Sequence, residues 1–221
     1  MYGSSERASA RMIGTGANEM AARPPDESRV EDYLEVDRVA GSDDAARALG
    51  PLIRIRQTTG YTDAPVGREQ VDAIVDVARS SGSANNRQPW RFITIHDAAT
   101  IGRIAEAGVP HTSTLRTAPA AIAVVLPDDP EREVVDAYDD GRVAERVLMA
   151  ASMLGLGSAI SWIRPDVQAS IREILDLPDG WMVRTVMAIG HPSERALRPR
   201  SAPGKGRLPR DETVHAERWG S

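Results

Sequence analysis

Cysteine is absent from this chain of 221 residues, and aromatic residues make up only 4% of it, with a single phenylalanine. Without cysteine the chain has no thiol nucleophile, no disulfide and no thiolate ligand for zinc or an iron–sulfur cluster. The lack of disulfides suits a cytoplasmic location, which we expect for this protein. The longest apolar run, Ala118 to Leu126, is less than half of a membrane span and predicts a buried strand.

Positive charge is also in short supply. The formal net charge is −5 and the isoelectric point is near 5.5. Such a chain has no general attraction to nucleic acid or to an anionic membrane, so we expect neither as a partner. Any ligand that carries a phosphate must therefore be held by a local group of arginine and lysine side chains.

The composition predicts two regions. Residues 1–41 are rich in glycine, serine, proline and charge, and we interpret them as a flexible tail with a short helix near residues 30–39. Residues 42–221 have the length of one ordinary domain and end in an extended C-terminal arm.

Hydrophobic spacing predicts where the first helices lie. An early short helix, capped by Ser42, is expected to end at Gly50-Pro51, because proline interrupts helices. One face of the next helix has the i, i+3, i+4, i+7 spacing of apolar residues. That face is formed by Val71, Ile74, Val75 and Ala78.

The later segments alternate between strands and helices. A long helix with many small residues ends at Gly155, and no glycine fingerprint of a dinucleotide-binding fold follows any strand. The order of elements predicts an α+β fold with helices packed on a mixed or antiparallel sheet. Strands are expected at residues 90–96, 118–126, 158–162 and 183–190, and shorter helices around residues 101–104 and 165–175.

Side chains that could carry out chemistry by themselves are not grouped in this sequence. The four histidines, at positions 96, 111, 191 and 215, are dispersed, and no nucleophile elbow or metal-ligand motif is present. We therefore expect no metal site and no catalytic side chain. The chemistry is then left to a bound cofactor.

The most informative segment runs from Gly82 to Trp90, between a helix and a strand. On composition alone, it is a polar loop that ends a helix and is followed by a packed tryptophan. As a pattern, it resembles the flavin loop of the nitroreductase family, Pro-Ser-x-x-Asn-x-Gln-Pro-Trp. The matching residues are Ser83, Asn86, Gln88, Pro89 and Trp90, with Gly82 in place of the usual first proline.

Two further regions are similar to the same family. Family members carry Arg-Arg-Ser-x-Arg followed by an aromatic residue and Asp-x-Pro-Val, and the segment from Tyr61 to Val66 fits the second part. Arg56 takes one arginine position, Arg54 is one residue out of register, and the downstream arginine is missing. The long helix that contains Asp140-Gly141-Arg142 resembles the dimer helix of the family.

The resemblance implies an enzyme that binds FMN and takes electrons from NADH or NADPH. In a ping-pong cycle the electrons would pass to a small acceptor such as a nitroaromatic or a quinone, with no catalytic side chain. The implied FMN-binding residues are Arg54, Arg56, Gln57, Gly82, Ser83, Ala84, Asn86, Ser158, Ala159, Ile160, Lys205 and Arg207. For Arg54 and Lys205, solvated surface charge is an equal alternative to phosphate binding.

The resemblance also implies an intertwined homodimer in which the Ser83 loop of one subunit reaches the flavin of the other. We assign the small residues of the long helix, such as Ala150 and Ala151, to the dimer centre; the alternative is a helix buried within one chain. For the function, the alternatives are another reaction on the same scaffold, a protein that sequesters flavin without catalysis, and an interaction module.

Overall fold

A computed structural model describes residues 43–198 and 207–220, which belong to two separate compact units. The predicted tail at residues 1–41, its helix near residues 30–39, Ser42 and Lys205 all lie outside the described residues. The division into a tail and one domain stays a prediction. The smaller unit contains a short helix, Arg210–Thr213, and a contact between the rings of His215 and Trp219 at 4.4 Å.

The first helix, α1, covers Asp43–Ile53, and the second, α2, covers Arg68–Arg79. The predicted break at Gly50-Pro51 was wrong, since α1 continues through both residues. A proline ring disturbs a helix partly by its clash with the Cβ of the residue before it, and Gly50 has no Cβ. On α2, Val71, Ile74 and Ala78 are buried, as their spacing predicted.

Four antiparallel strands form one sheet in the order β1-β2-β4-β3. The prediction of an α+β fold is confirmed. The sequence left open whether the sheet is mixed or antiparallel, and the sheet is antiparallel. β2 and β4 are the inner strands, which explains why their residues are almost completely buried. The strands are β1 (Arg91–Ile95), β2 (Ala120–Pro127), β3 (Gly157–Trp162) and β4 (Trp181–Gly190).

Helices cover both faces of this sheet. One face packs against α2 and the long helix α4, Glu133–Met153, while the other packs against α3, Ala98–Ala107, and α5, Gln168–Leu175. A short helix, α6 (Glu194–Leu197), follows β4. Within the described parts of the chain, no helix combines the length and the apolar character that crossing a membrane requires.

The small residues of α4 lie inside a single chain. Ala151 is completely buried and Ala150 is 7% exposed, in the same cluster as Val143 and Val147. The assignment of Ala150 and Ala151 to a dimer centre was therefore wrong. Their small size lets α4 pack closely on its own sheet and on α2, and a different face of α4 is exposed to solvent.

Candidate functional site

The segment after α1 lies along the free edge of β3. The Thr58 N–H donates to the Ser158 carbonyl at 2.8 Å, and the Ile160 N–H donates to Gln57 Oε1 at 2.9 Å. An edge strand presents unpaired backbone groups, and here a backbone group and a side chain satisfy two of them. The structure thus brings Gln57 together with the predicted site residues Ser158, Ala159 and Ile160.

Glycine at position 157 permits this close approach. A Cβ placed on Gly157 would lie 2.7 Å from the Cβ of Thr58, which is closer than two side chains can pack. Any larger residue would push the segment containing Gln57 away from the strand edge. The local sequence therefore controls the geometry of this part of the site.

Ser158 provides a polar atom without a partner. The residue is 2% exposed, and its Oγ has no hydrogen-bond partner among the described residues. A buried hydroxyl without a partner is costly, so Ser158 is an unusual feature of the strand edge that also carries the Gln57–Ile160 hydrogen bond. Ala159 beside it is completely buried, and Ile160 is half-buried.

Tyr61 anchors the same segment to the centre of the sheet. Its buried hydroxyl donates to the Thr58 carbonyl at 2.9 Å and to the Ala188 carbonyl at 3.3 Å. Burial raises the pKa of the Tyr61 hydroxyl, so it stays protonated and remains a donor. We assign Tyr61 a structural role.

The loop after α2 adopts a tight, specific conformation. Ser83 Oγ accepts a hydrogen bond from the Gln88 N–H at 2.8 Å, and Gln88 Nε2 donates to Asn86 Oδ1 at 3.2 Å. Asn85, Asn86 and Gln88 all have positive φ angles, between 50° and 54°. Such angles cost energy in residues other than glycine and concentrate at functional sites. All three residues are exposed, which leaves their side chains accessible to a ligand.

Two carboxylates of α4 hold this loop in place. The Ala84 N–H donates to both oxygens of Asp139, at 3.1 and 3.3 Å, and Arg87 pairs with Asp136 at 3.4 Å. Sequence reasoning missed both aspartates. The available signal was their position, three residues apart on the face of the helix that also carries Val143 and Val147. Buried carboxylates on an apolar face need partners, and the loop provides them.

Gly82 faces a side chain of the same helix. A Cβ built on Gly82 would lie 3.2 Å from Cζ of Arg142, whose guanidinium is 3.8 Å from Asp139. The absence of a side chain at position 82 therefore leaves space for that guanidinium. The structure assigns Gly82 this packing role; its predicted contact with a cofactor stays a prediction.

The predicted phosphate-binding arginines lie in different environments. Arg54 follows α1 directly, and its guanidinium lies against Gly50, while Arg56 is exposed on the way to the β3 edge. Arg207 is exposed in the smaller unit, and Lys205 lies outside the described residues. Arg56 is the basic side chain nearest in sequence to the Gln57–Ile160 hydrogen bond.

The two groups of site residues are far apart in one chain. The loop contacts α4 at Asp139, whereas Gly157 follows the other end of α4, about 20 Å further along the helix axis at 1.5 Å per residue. The loop also leads into β1, at the opposite edge of the sheet from β3. Within one chain, the residues from Ser83 to Asn86 and the residues from Ser158 to Ile160 do not form one pocket.

A third group of residues lies at the far end of β3. The rings of His111 and Trp162 meet edge to face, 5.5 Å apart, and Thr114 shares a 2.7 Å hydrogen bond with Ser161. Trp162 is 44% exposed. The segment that carries His111 and Thr114 is thus adjacent to the end of β3.

Comparison with known proteins defines the family. A sequence profile described as the nitroreductase family matches residues 56–110, which include Arg56, Gln57 and the loop from Gly82 to Gln88. A provisionally named NADH dehydrogenase/NAD(P)H nitroreductase of Archaeoglobus fulgidus is 30% identical over 140 residues, covering 61% of this chain and 79% of the relative. The chain belongs to the nitroreductase family.

Two other relatives agree with this result. The FMN reductase [NAD(P)H] of Bacillus subtilis is 29% identical, covering 74% of this chain and 71% of that protein. The crystal structure of a provisionally named NADH dehydrogenase/NAD(P)H nitroreductase from Parabacteroides distasonis superimposes with a TM-score of 0.66 at 25% identity. The match covers 78% of this chain and 99% of that one.

Proposed function

We propose that this protein is an FMN-dependent oxidoreductase that takes electrons from NADH or NADPH and transfers them to a small acceptor, such as a nitroaromatic or a quinone. The observation that carries the proposal is the hydrogen bond from the Ile160 N–H to Gln57 on the edge of β3, the strand that also holds the buried, unpartnered hydroxyl of Ser158. Membership of the family and the names of its relatives support the same chemistry.

The residues of the β3 edge fit an FMN ligand. The flavin ring needs hydrogen-bonding groups along one edge. Because Gln57 Oε1 accepts the Ile160 N–H, Gln57 would offer the ring the N–H groups of its amide. The phosphate needs a guanidinium or an ammonium group, and Arg56 is exposed next to this edge. Arg54, Lys205 and Arg207 are further candidates for the phosphate.

The chemistry that FMN supplies when bound is the transfer of two electrons from a nicotinamide to an acceptor. The protein's own residues bind and orient the ligands and exclude water from them. No catalytic side chain is required. The donor and the acceptor would occupy the same face in turn, which is the basis of the proposed ping-pong cycle. His111 and Trp162 offer an aromatic wall for the acceptor.

A homodimer is part of this proposal, because the site is divided within one chain. A second copy related by a two-fold axis across the middle of α4 would place its Ser83 loop near the β3 edge of the first copy. The loop residues, including Ser83, Ala84 and Asn86, would then contribute to the partner's cofactor site. Most homo-oligomers have such two-fold symmetry.

Purification followed by a spectrum and steady-state kinetics tests the proposal. We expect a yellow protein, or one that becomes yellow with added FMN, that oxidises NADH or NADPH only when an acceptor is present. Double-reciprocal plots at several acceptor concentrations should be parallel. Intersecting lines would contradict the ping-pong cycle, and a yellow protein inactive with every donor would instead be a flavin-sequestering protein. A colourless protein without affinity for FMN would overturn the whole proposal.

A further inference from the structure

The loop from Gly82 to Trp90, which we call the motif loop, is held at its end by the first residue of β1. Nη1 of Arg91 donates to the Gln88 carbonyl at 3.3 Å and to the Trp90 carbonyl at 2.8 Å. The N–H of Gln88 donates to Ser83 Oγ at 2.8 Å. Both backbone polar groups of Gln88 therefore have a partner.

An aromatic ring supports the Arg91 side chain. The central carbon of its guanidinium lies over the Trp181 ring, 5.3 Å from the ring centre, at the start of β4. A guanidinium at this distance from an indole ring is attracted to it, and its N–H groups remain free to donate elsewhere. Trp181 is half-buried and packs against the apolar cluster that α3 and α5 cover. Its ring is therefore a firm support for the guanidinium.

The motif loop is thus anchored at both ends and from two different layers of the fold. Asp139 of α4 holds its start through the Ala84 N–H, while Arg91 holds its end from the layer that contains Trp181. Among the described residues, no carboxylate pairs with Arg91. The charge of this arginine is directed at two loop carbonyls and a ring.

Gln88 is the residue of the motif loop whose backbone most needs such support. Its φ angle is 50°, which is uncommon for a residue with a side chain and is tolerated best by glycine, asparagine and aspartate. Asn85 and Asn86, which also have positive φ angles, are of a tolerant type. Gln88 is not, and Pro89 further narrows the conformations open to the residue before it. Contacts with other residues must offset this strain.

The side chain of Gln88 connects this backbone conformation to a predicted FMN-binding residue. Gln88 Nε2 donates to Asn86 Oδ1 at 3.2 Å, which fixes the orientation of the Asn86 amide. Asn86 is exposed, so its amide is accessible to a ligand. A change in the φ angle of Gln88 would move the donor away and release the amide.

We propose that Arg91 is a positioning residue of the FMN site. Its guanidinium, supported by Trp181, keeps Gln88 at a positive φ angle, and Gln88 in turn orients Asn86 for the cofactor. Arg91 acts through these residues and does not touch the cofactor itself. The inference rests on the proposed function, because it concerns the site in which FMN would bind.

Titration of the apoprotein with FMN tests the role of the side chain. Arg91→Ala should raise the FMN dissociation constant about tenfold, and Arg91→Lys should recover part of the loss, since an ammonium group donates to carbonyls but lacks the planar fork. Trp181→Leu removes the ring and should raise the constant about threefold. Arg103→Ala, at an exposed arginine of α3, is the matched control and should leave it unchanged. Native affinity in Arg91→Ala would overturn the inference.

Glycine in place of Gln88 separates this role from a general effect on folding. Glycine adopts a positive φ angle without strain, so the Gln88→Gly variant no longer needs Arg91 to hold that conformation. Adding Arg91→Ala to Gln88→Gly should raise the dissociation constant by less than about twofold, against about tenfold in the natural chain. An equal loss in both backgrounds would show that Arg91 acts independently of Gln88, and the inference would fail.

Urea unfolding of the same four proteins without FMN gives a second measurement, which does not depend on binding. Arg91→Ala should lower the unfolding midpoint of the natural chain and should have a much smaller effect in the Gln88→Gly background. Equal shifts of the midpoint in the two backgrounds would contradict the proposed support of Gln88 by Arg91.

The outcomes separate this inference from the proposed function. A natural chain that binds FMN, with equal losses from Arg91→Ala in both backgrounds, would overturn the role of Arg91 and leave the proposed function standing. A natural chain without affinity for FMN would overturn the proposed function, while the unfolding midpoints would still show whether Arg91 supports Gln88.

Discussion

Asp139 on the long helix accepts the backbone N–H of Ala84 with both carboxylate oxygens, at 3.1 and 3.3 Å. This relationship connects the loop that carries the family motif to the helix that we propose as the dimer helix. The loop therefore depends on a residue more than fifty positions away along the chain. Asp139 acts on the site through the loop and is a positioning residue.

The first prediction concerns Asp139. Asp139→Ala removes the acceptor of the Ala84 N–H, and the free energy of unfolding should fall by about 1.5–3 kcal/mol, the usual value of a hydrogen bond to a charged group. Affinity for FMN should fall with it, because the loop loses its position. Asp139→Asn keeps an acceptor oxygen and should lose less. Urea unfolding and FMN titration measure both effects, and an Ala variant with native affinity would remove Asp139 from this role.

The second prediction concerns Gln57. Gln57→Ala removes the acceptor of the Ile160 N–H and should weaken FMN binding about fivefold, corresponding to about 1 kcal/mol for a neutral hydrogen bond. Gln70→Ala is the matched control, since Gln70 Oε1 accepts the Gly67 N–H at 3.1 Å in the same kind of bond at the start of α2. That variant should leave the affinity for FMN unchanged. Equal losses for both variants would indicate a general effect on folding.

The third prediction concerns the phosphate. Arg56→Ala should weaken FMN binding by about 1.5–3 kcal/mol through the loss of a charge-assisted contact, and Arg207→Ala should act in the same direction. Arg54→Ala should have a smaller effect, because its guanidinium lies against Gly50. Riboflavin, which has no phosphate, provides the internal control. If Arg56→Ala weakens riboflavin and FMN equally, Arg56 does not bind the phosphate.

The fourth prediction concerns the dependence of stability on pH. Burial raises the pKa of Asp140 to about 6, while its hydrogen bond from Thr185 and the charge of Arg184 act in the opposite direction. Because this value lies above that of the unfolded chain, the contribution of Asp140 to stability is complete below pH 4 and is lost as the pH rises through 6. A difference of about two units corresponds to about 3 kcal/mol at pH 7.

Asp140→Asn tests this prediction, since asparagine cannot ionise and can still accept the Thr185 hydroxyl. The variant should equal the natural chain in stability near pH 4 and exceed it at pH 7. Chemical unfolding at a series of pH values measures the difference. A constant difference between pH 4 and pH 7 would mean that Asp140 does not titrate in this range.

Much of the local structure could be predicted because it depends on short-range patterns. The apolar run from Ala118 to Leu126 predicted the buried inner strand β2, and the spacing from Val71 to Ala78 predicted α2. Both are confirmed. The break at Gly50-Pro51 was wrong, because the general rule for proline does not consider which residue precedes it.

The candidate site was predicted in part. The resemblance to the family named Gln57 and the residues from Ser158 to Ile160, and the structure brings them together at the β3 edge. Their role in binding FMN stays a prediction. Asp136 and Asp139 were missed. Their position on the apolar face of α4 indicates that they need partners, but no pattern along the chain identifies a loop about fifty residues earlier as the partner.

The amino-acid sequence alone determined the order of the helices and strands, the position of the loop and membership of the family, because these depend on neighbouring residues and on a motif. Only the tertiary structure decided which side of α4 is buried. Ala150 and Ala151 pack inside the chain, while Val134 and Met153 face solvent, because the sheet and α2 cover one side of the helix. It also placed the loop and the β3 edge far apart, and this separation is the physical reason for proposing a second copy of the chain.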